Sequence, residues 1–142
     1  MKTTARNQFK GILDAVEAGP VTTRVVLRLS GGQTITATLT SAAADRLKLS
    51  TGQHAIALVK SSAIVLVTDF DGYALSARNQ LSGSISRVER GAVSSLIGLQ
   101  LPGGEVVTAS VTNDSVDDLG LAAGQAATAV FKAYSVILAV RP

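Results

Sequence analysis

Apolar and polar residues alternate along much of this chain with a period of two, as in β-strands that are buried on one face. Between residues 23 and 29, valine and leucine take every second position, while Arg24 and Arg28 fall between them. Such alternation predicts five strands in the first half of the chain, at residues 8–16, 23–29, 34–39, 55–60 and 63–67. A short helix from Thr40 to Leu47, capped by the hydroxyl of Thr40, separates the third strand from the fourth.

The second half of the chain shows the same order of elements 72 residues later. Strands are predicted at residues 81–88, 95–101, 106–111, 126–132 and 135–140, and a helix from Thr112 to Leu119 lies between the third and fourth. In the first half, Gly31-Gly32 predicts a hairpin turn, and Gly11 predicts a bulge or bend within the first strand.

Residue identities confirm that these halves are repeats. The segment Ala5–Gln8 recurs as Ala77–Gln80, and over about 65 pairs at this offset roughly 25 are identical. We therefore expect two domains, residues 1–69 and 70–142. The turn-rich connector, residues 68–73, is too short to let the two domains move apart, so we expect them to pack together.

Five short strands with one helix between the third and fourth are typical of an OB-type Greek-key barrel. The predicted fold is therefore mainly β: two tandem OB-like five-stranded Greek-key barrels, each with one short helix between strands 3 and 4. The pattern leaves open whether the two barrels exchange strands.

Composition narrows the class of protein. Hydrophobic residues make up 46% of the chain and aromatic residues 4%, so valine, isoleucine, leucine and alanine must form the core. So much apolar surface on two small units predicts burial between units or subunits, and hence a homo-oligomer. The net charge of +3 suits an anionic partner without specifying one.

Several function classes find no support in the sequence. There is no cysteine, and the one histidine, His54, aligns with Ala126 in the second repeat. No repeated carboxylate pair is present, so neither a bare metal cation nor acid–base catalysis is expected, and the chain is not predicted to be an enzyme. Because no signal-like or membrane-spanning apolar run occurs, we expect a cytoplasmic protein.

Some repeated polar residues are not explained by turns or by the core. They are Arg6/Arg78, Asn7/Asn79, Thr40/Thr112 and Lys60/Lys132. Arginine offers a planar fork of donors and lysine a point charge, while hydroxyls and amides at the helix start add neutral donors. No Asp or Glu occurs in these segments, so the set predicts an oxyanion pocket. The alternative interpretation is ordinary surface cations and a helix cap.

These residues also carry a family resemblance. Ser76–Asn79, Gly83, the segment 91–93 and the closing segment 132–138 resemble the molybdenum-pterin-binding (Mop) domain. Two such domains in tandem are similar to the molbindins, cytoplasmic proteins that store and buffer molybdate. The resemblance implies OB-like barrels, trimers of two-domain chains, and molybdate or tungstate bound at subunit interfaces, without an organic cofactor.

By the same resemblance, the oxyanion ligands are placed on equivalent positions of both repeats. They are Thr4, Ala5, Arg6, Asn7, Thr40, Lys60 and Ser62 in the first repeat, and Ser76, Ala77, Arg78, Asn79, Thr112, Lys132 and Ser135 in the second. A second type of site is placed on the loops Pro20, Val21, Thr22 and Ala92, Val93, Ser94. Tyr134 stands where the first repeat has Ser62, so Ser135 or the Tyr134 hydroxyl must substitute there.

The sequence thus favours intracellular binding, storage and buffering of molybdate or tungstate without catalysis. One alternative is a nucleic-acid-binding OB module, although the five aromatic residues are few and scattered for a base-stacking platform. Another is a regulatory oxyanion-sensing module that acts through a partner.

Overall fold

The computed structural model describes all residues from 1 to 142. The first repeat contains β1 (Asn7–Ala18), β2 (Thr22–Leu29), β3 (Thr34–Thr40), α1 (Ser41–Leu47), β4 (His54–Val59) and β5 (Val65–Val67). The second contains β6 (Asn79–Arg90), β7 (Ser94–Gln100), β8 (Val106–Thr112), α2 (Asn113–Leu119), β9 (Ala126–Phe131) and β10 (Ile137–Val140). A 3₁₀ turn precedes the last strand of each repeat, at Ser61–Ala63 and Ala133–Ser135. No helix has the length and apolar character needed to cross a membrane.

The strands form two five-stranded antiparallel sheets, in the orders β10-β4-β1-β2-β3 and β5-β9-β6-β7-β8. Each sheet takes four strands from one repeat and its outer strand from the other. The expected boundary between residues 69 and 70 thus separates the repeats along the chain but does not separate the sheets.

This exchange of outer strands was not determined by the sequence pattern. The segments Val65–Val67 and Ile137–Val140 are both short and apolar, so their alternation suits either β4 or β9. Each outer strand also begins later than predicted, because Ala63 and Ser135 belong to the 3₁₀ turns. In those turns their N–H groups donate to the carbonyl oxygens of Lys60 and Lys132, both at 3.0 Å.

One hydrophobic core runs through both repeats. It is a single cluster of 26 buried residues, and among its fully enclosed members are Leu13 and Ile35 from the first repeat and Ile97 and Leu99 from the second. A unit of about 70 residues buries a smaller share of its surface than a larger domain does. Joining the two units into one core therefore adds stability that neither would have alone.

Local predictions about turns and caps hold, except at Gly11. The Gly31-Gly32 hairpin forms. The hydroxyl oxygens of Thr40 and Thr112 cap their helices by accepting the N–H group of the third helical residue, at 3.1 and 3.2 Å. The bulge in β1 lies between Leu13 and Ala15, however, and not at Gly11. Glycine is needed at Gly11 because a Cβ there would collide with the carbonyl oxygen of Arg28.

The repeats are also joined by the asparagine of each Ala-Arg-Asn-Gln segment. Nδ2 of Asn79 donates to the carbonyl oxygen of Thr36 at 2.8 Å, and Oδ1 accepts the Thr36 N–H at 2.8 Å. Asn7 makes the same pair of bonds with Thr108, at 2.8 and 2.7 Å. Both amides are at most 2% exposed. Each one therefore bonds like a backbone peptide unit to the third strand of the opposite repeat.

A second contact between repeats forms where the two hairpins meet. A Cβ added to Gly31 would lie 2.6 Å from the Cα of Gly103, so the backbones touch directly. Beside them, Oε1 of Gln33 and Oε1 of Glu105 are both buried without a hydrogen-bond partner. A half-turn of the Gln33 amide would present its N–H₂ donor to the carboxylate. Glutamine opposite glutamate is therefore compatible with the close approach of the two hairpins, whereas two carboxylates at these positions would repel each other.

We expect Asn79→Ala to lower the free energy of unfolding by about 1–3 kcal/mol, because the Thr36 N–H and carbonyl groups lose buried partners. Urea denaturation followed by circular dichroism measures this change. Gln100→Ala, at an exposed strand residue, is the control and should unfold at nearly the wild-type urea concentration. Equal stability of Asn79→Ala and wild type would show that the amide does not join the repeats.

Candidate anion-binding site

A cavity of about 290 Å³ lies where the chain enters β1 and where it leaves β4. Its wall is formed by residues 3–6, by residues 60–62 and by two apolar side chains, Leu58 and Ile137. The structure thus brings together five of the predicted ligands, which are Thr4, Ala5, Arg6, Lys60 and Ser62. These residues come from opposite ends of the first repeat and meet only in the folded chain.

The cavity combines positive charge with neutral donors. Arg6 and Lys60 take part in no salt bridge, and no carboxylate belongs to the cavity wall. Four hydroxyls surround them, from Thr3, Thr4, Ser61 and Ser62. A guanidinium, an ammonium and hydroxyls form a set of donors suited to an anion with several acceptor oxygens.

Local structure explains the position of the two cations. Asn7 is fixed by its bonds to the second repeat, and Arg6 is the residue just before it. Lys60 follows directly after the last residue of β4, Val59, and precedes the 3₁₀ turn. Because Asn7 and Val59 are paired in the sheet, the two cations emerge from neighbouring strand ends.

The exchanged strand completes the cavity. Ile137 of β10 pairs with Leu58 of β4, and these two side chains form the apolar part of the wall. Ile137 belongs to the second repeat, so the sequence of the first repeat alone does not indicate that it lines this cavity. Thr3 and Ser61 were also missed, although each is adjacent in sequence to a predicted ligand.

The equivalent positions of the second repeat carry fewer donors. Arg78 and Lys132 are exposed, as are Arg6 and Lys60, and Ser76 keeps the hydroxyl of Thr4. At the positions of Thr3, Ser61 and Ser62, however, the second repeat has residues without an aliphatic hydroxyl. Those residues are Leu75, Ala133 and Tyr134. Ser135 lies half-buried in the 3₁₀ turn, whereas the side chain of Tyr134 is exposed.

The charge of Arg78 in the second set acts on one carboxylate, that of Glu17, which is paired with Arg24. The hydrogen bond from Arg24 holds the pKa of Glu17 below its ordinary value, and the charges of Arg24 and, to a smaller degree, Arg78 add to this lowering of the pKa. Arg78 is brought there by Asn79, which bonds to β3. The sequence did not indicate this carboxylate because Glu17 is distant in sequence from the Arg78 segment.

Two other groups of predicted ligands have structural roles in this chain. The side-chain amides of Asn7 and Asn79 already bond to backbone groups of the opposite repeat. Thr40 and Thr112 cap the helices and are not part of the cavity wall. The N–H of Ser41, at the start of α1, donates to the carbonyl oxygen of Val21 and is therefore not free to bind an anion.

The loops predicted as a second type of site lie elsewhere, at the turns from β1 to β2 and from β6 to β7. Thr22 pairs with Thr40 at one edge of the sheet. Ser41 fixes this loop by donating its hydroxyl to the carbonyl oxygen of Gly19 at 2.6 Å, and Asn113 bonds similarly to Gly91 at 2.9 Å. Val21 and Val93 are 74% and 79% exposed, so each loop presents an apolar tip to its surroundings.

Comparison with known proteins agrees with the repeat and the fold. The TOBE domain model matches residues 3–66 and residues 75–138. The chain belongs to the TOBE domain family and contains two copies of the domain.

Similar proteins carry names associated with molybdenum. The chain is 64% identical over 141 residues to the molybdenum transport protein ModE of Herbaspirillum seropedicae, covering 99% of this chain and 52% of that protein. It is 38% identical over 140 residues to the molybdenum-pterin-binding protein MopA of Rhodobacter capsulatus, covering 99% and 53%. The chain thus spans about half the length of these curated relatives.

A solved structure matches the chain from end to end. It is the cytoplasmic molybdate-binding protein ModG with molybdate bound, which superposes with a TM-score of 0.96 at 43% identity. The match covers 99% of this chain and 100% of that one. The same two-sheet architecture therefore occurs in a chain of similar length that binds molybdate.

Proposed function

We propose that this chain binds molybdate, or the similar oxyanion tungstate, and serves to store and buffer it. The observation that carries this proposal is the grouping of Arg6, Lys60 and four hydroxyls around one cavity without a carboxylate. The similarity to ModG, whose structure contains molybdate, supports the choice of anion.

The chemistry of the cavity suits a fully deprotonated oxyanion. Near neutral pH molybdate is a dianion, and each of its oxygens accepts hydrogen bonds. Arg6 and Lys60 supply charged donors, which form shorter and stronger hydrogen bonds than neutral ones. The hydroxyls of Thr4 and Ser62 add neutral donors, and Leu58 and Ile137 form an apolar part of the wall.

The same residues favour binding without chemical conversion. The cavity wall contains no histidine and no carboxylate to act as a general base. A buffering protein needs only to bind and release its anion. We also propose that it acts in the cytoplasm, because the similar protein ModG is cytoplasmic.

A second candidate function is an oxyanion-sensing module within a regulator. Relatives named ModE include transcriptional regulators, and the chain matches about half of each. Binding would be the same in this case, but the bound state would act on another domain or partner. Direct nucleic-acid binding by the barrels has less support, because Phe9 and Phe131 lie in the core and cannot stack on bases.

We expect Arg6→Ala and Lys60→Ala each to weaken molybdate binding about ten- to a hundred-fold, since a charged hydrogen bond contributes about 1.5–3 kcal/mol. Arg78→Ala and Lys132→Ala should have smaller effects, because that set has fewer hydroxyl donors and a carboxylate near Arg78. Isothermal titration calorimetry with sodium molybdate measures all four variants.

Arg46→Ala removes an exposed cation outside the cavity and is the matched control for these variants. It should bind molybdate as the wild type does. If Arg6→Ala and Lys60→Ala also bind as the wild type does, both residues are ordinary surface cations and the proposed site is wrong.

Phosphate should bind far more weakly than molybdate at neutral pH. Phosphate keeps at least one proton, and that proton would meet only donors in the cavity, at a cost of about 1–3 kcal/mol. Sulfate has no such proton and should be excluded less strongly than phosphate. Competition titrations against bound molybdate test this order, and displacement by phosphate at concentrations comparable to molybdate would contradict it.

We expect the chain to assemble into a homo-oligomer, as the Mop resemblance implies, and specifically into a trimer. Large apolar side chains remain exposed on the single chain, including Val65 at 60% and Ile137 at 62%, beside the cation pairs. A cyclic assembly would bury such surface and bring a second chain to each site. Sedimentation equilibrium at micromolar concentration measures the mass, and a monomer there would contradict the expectation.

A further inference from the structure

A second and larger cavity, of about 670 Å³, lies further along the outer face of β1, β4 and β10. Its wall includes Lys10, His54 and Arg141, and the apolar side chains Ile56 and Ala139. None of its ten lining residues is an aspartate or a glutamate. Its volume falls in the range of small-molecule sites and exceeds what one tetrahedral oxyanion would fill.

Strand register explains how three basic side chains, Lys10, His54 and Arg141, surround an apolar centre. Lys10 pairs with Ile56, which pairs in turn with Ala139, so these residues form one row across the three strands. His54 lies two residues before Ile56, on the same face, and Arg141 follows directly after β10. Strand spacing and rise place the Cα atoms of Lys10 and Arg141 about 12 Å apart. Two long side chains can reach a common anion across that distance.

The basic side chains of this cavity are free of competing partners within the chain. The four salt bridges involve other arginines, at positions 24, 28, 87 and 90. Lys10, His54 and Arg141 are all exposed at the cavity wall and make no side-chain hydrogen bond. The unpaired charges of Lys10 and Arg141 on a concave surface attract anions by their combined field.

The second repeat shows that the fold itself does not require these charges. At the positions of Lys10, His54 and Arg141 it carries Ser82, Ala126 and Asp69. The hydroxyl of Ser82 is already paired there with Thr128 at 2.9 Å. The same sheet surface is therefore basic in one half of the protein and neutral to acidic in the other.

We infer that the larger cavity binds an organic anion, with its phosphate or carboxylate group among Lys10, His54 and Arg141 and its apolar or aromatic part against Ile56 and Ala139. A charged group without an apolar body would leave the centre of the cavity unfilled. An uncharged body would leave Lys10 and Arg141 without an ionic partner. This ligand is organic, whereas the sequence led us to expect an inorganic oxyanion only. The inference does not depend on the proposed molybdate site.

The test is calorimetric titration of the full chain with adenosine 5′-monophosphate, an aromatic phosphate, and with benzoate, an aromatic carboxylate. Adenosine and inorganic phosphate are titrated separately as the two halves of the first compound. We expect at least one aromatic anion to bind about tenfold or more tightly than either adenosine or inorganic phosphate.

The second repeat supplies a matched pair of variants. Lys10→Ser with Arg141→Asp introduces the residues found at Ser82 and Asp69, and should weaken binding of the aromatic anion at least tenfold. Lys48→Gly with Arg46→Asp introduces the residues found at Gly120 and Asp118, and lowers the net charge by the same amount away from the cavity. This control should retain the wild-type affinity.

Three results would overturn the inference. They are no binding of either aromatic anion, equal binding of inorganic phosphate, and equal loss of affinity in both double variants. A molybdate titration of the Lys10→Ser/Arg141→Asp variant separates the two sites. The molybdate affinity of this variant should stay within about threefold of the wild-type value, because salt screens the lost charges. Failure of one proposal is therefore distinguishable from failure of the other.

Discussion

Hydrogen bonds between backbone-like groups of the two repeats are the constraint on which the rest of the structure depends. The outer strand of each sheet comes from the other repeat, and Asn7 and Asn79 bond the start of each repeat to the third strand of its partner. These contacts are buried and paired, so separating the repeats would break their hydrogen bonds and expose the shared apolar core to water. The two units therefore fold as one body around one core.

The cavity at Arg6 is a consequence of this arrangement. Asn7 fixes the segment that carries Arg6, and the paired strand end at Val59 fixes Lys60 beside it. The exchanged strand then adds Ile137 as part of the wall. Pairing of the strand ends thus fixes the backbone positions of Arg6 and Lys60, while their side chains remain exposed.

Duplication has also allowed the two halves to diverge in charge. Both halves keep the arginine, the lysine and the asparagine that joins the repeats, yet they differ in the surrounding hydroxyls and in nearby carboxylates. On the outer sheet face the difference is larger, since Lys10 and Arg141 correspond to Ser82 and Asp69. Because the core and turns are the same, such differences concern what each surface binds and not how it folds.

The sequence alone determined the repeat, the order of strands and helices, and the faces of most strands. These features can be predicted from the sequence because apolar periodicity, capping threonines and glycine turns depend only on residues close together in the chain. It also identified Arg6 and Lys60 as a charged pair to be explained. Their recurrence at the same offset is visible without any structure.

Only the tertiary structure decided which sheet receives β5 and β10, since both segments have the same apolar alternation. It also separated the roles within the repeated signature: Asn79 joins the repeats, whereas Arg78 remains exposed near Glu17. Glu17 and Ile137 reach their positions through pairings between distant segments. The energies of such pairings depend on the whole fold, so no local pattern in the chain could have revealed them.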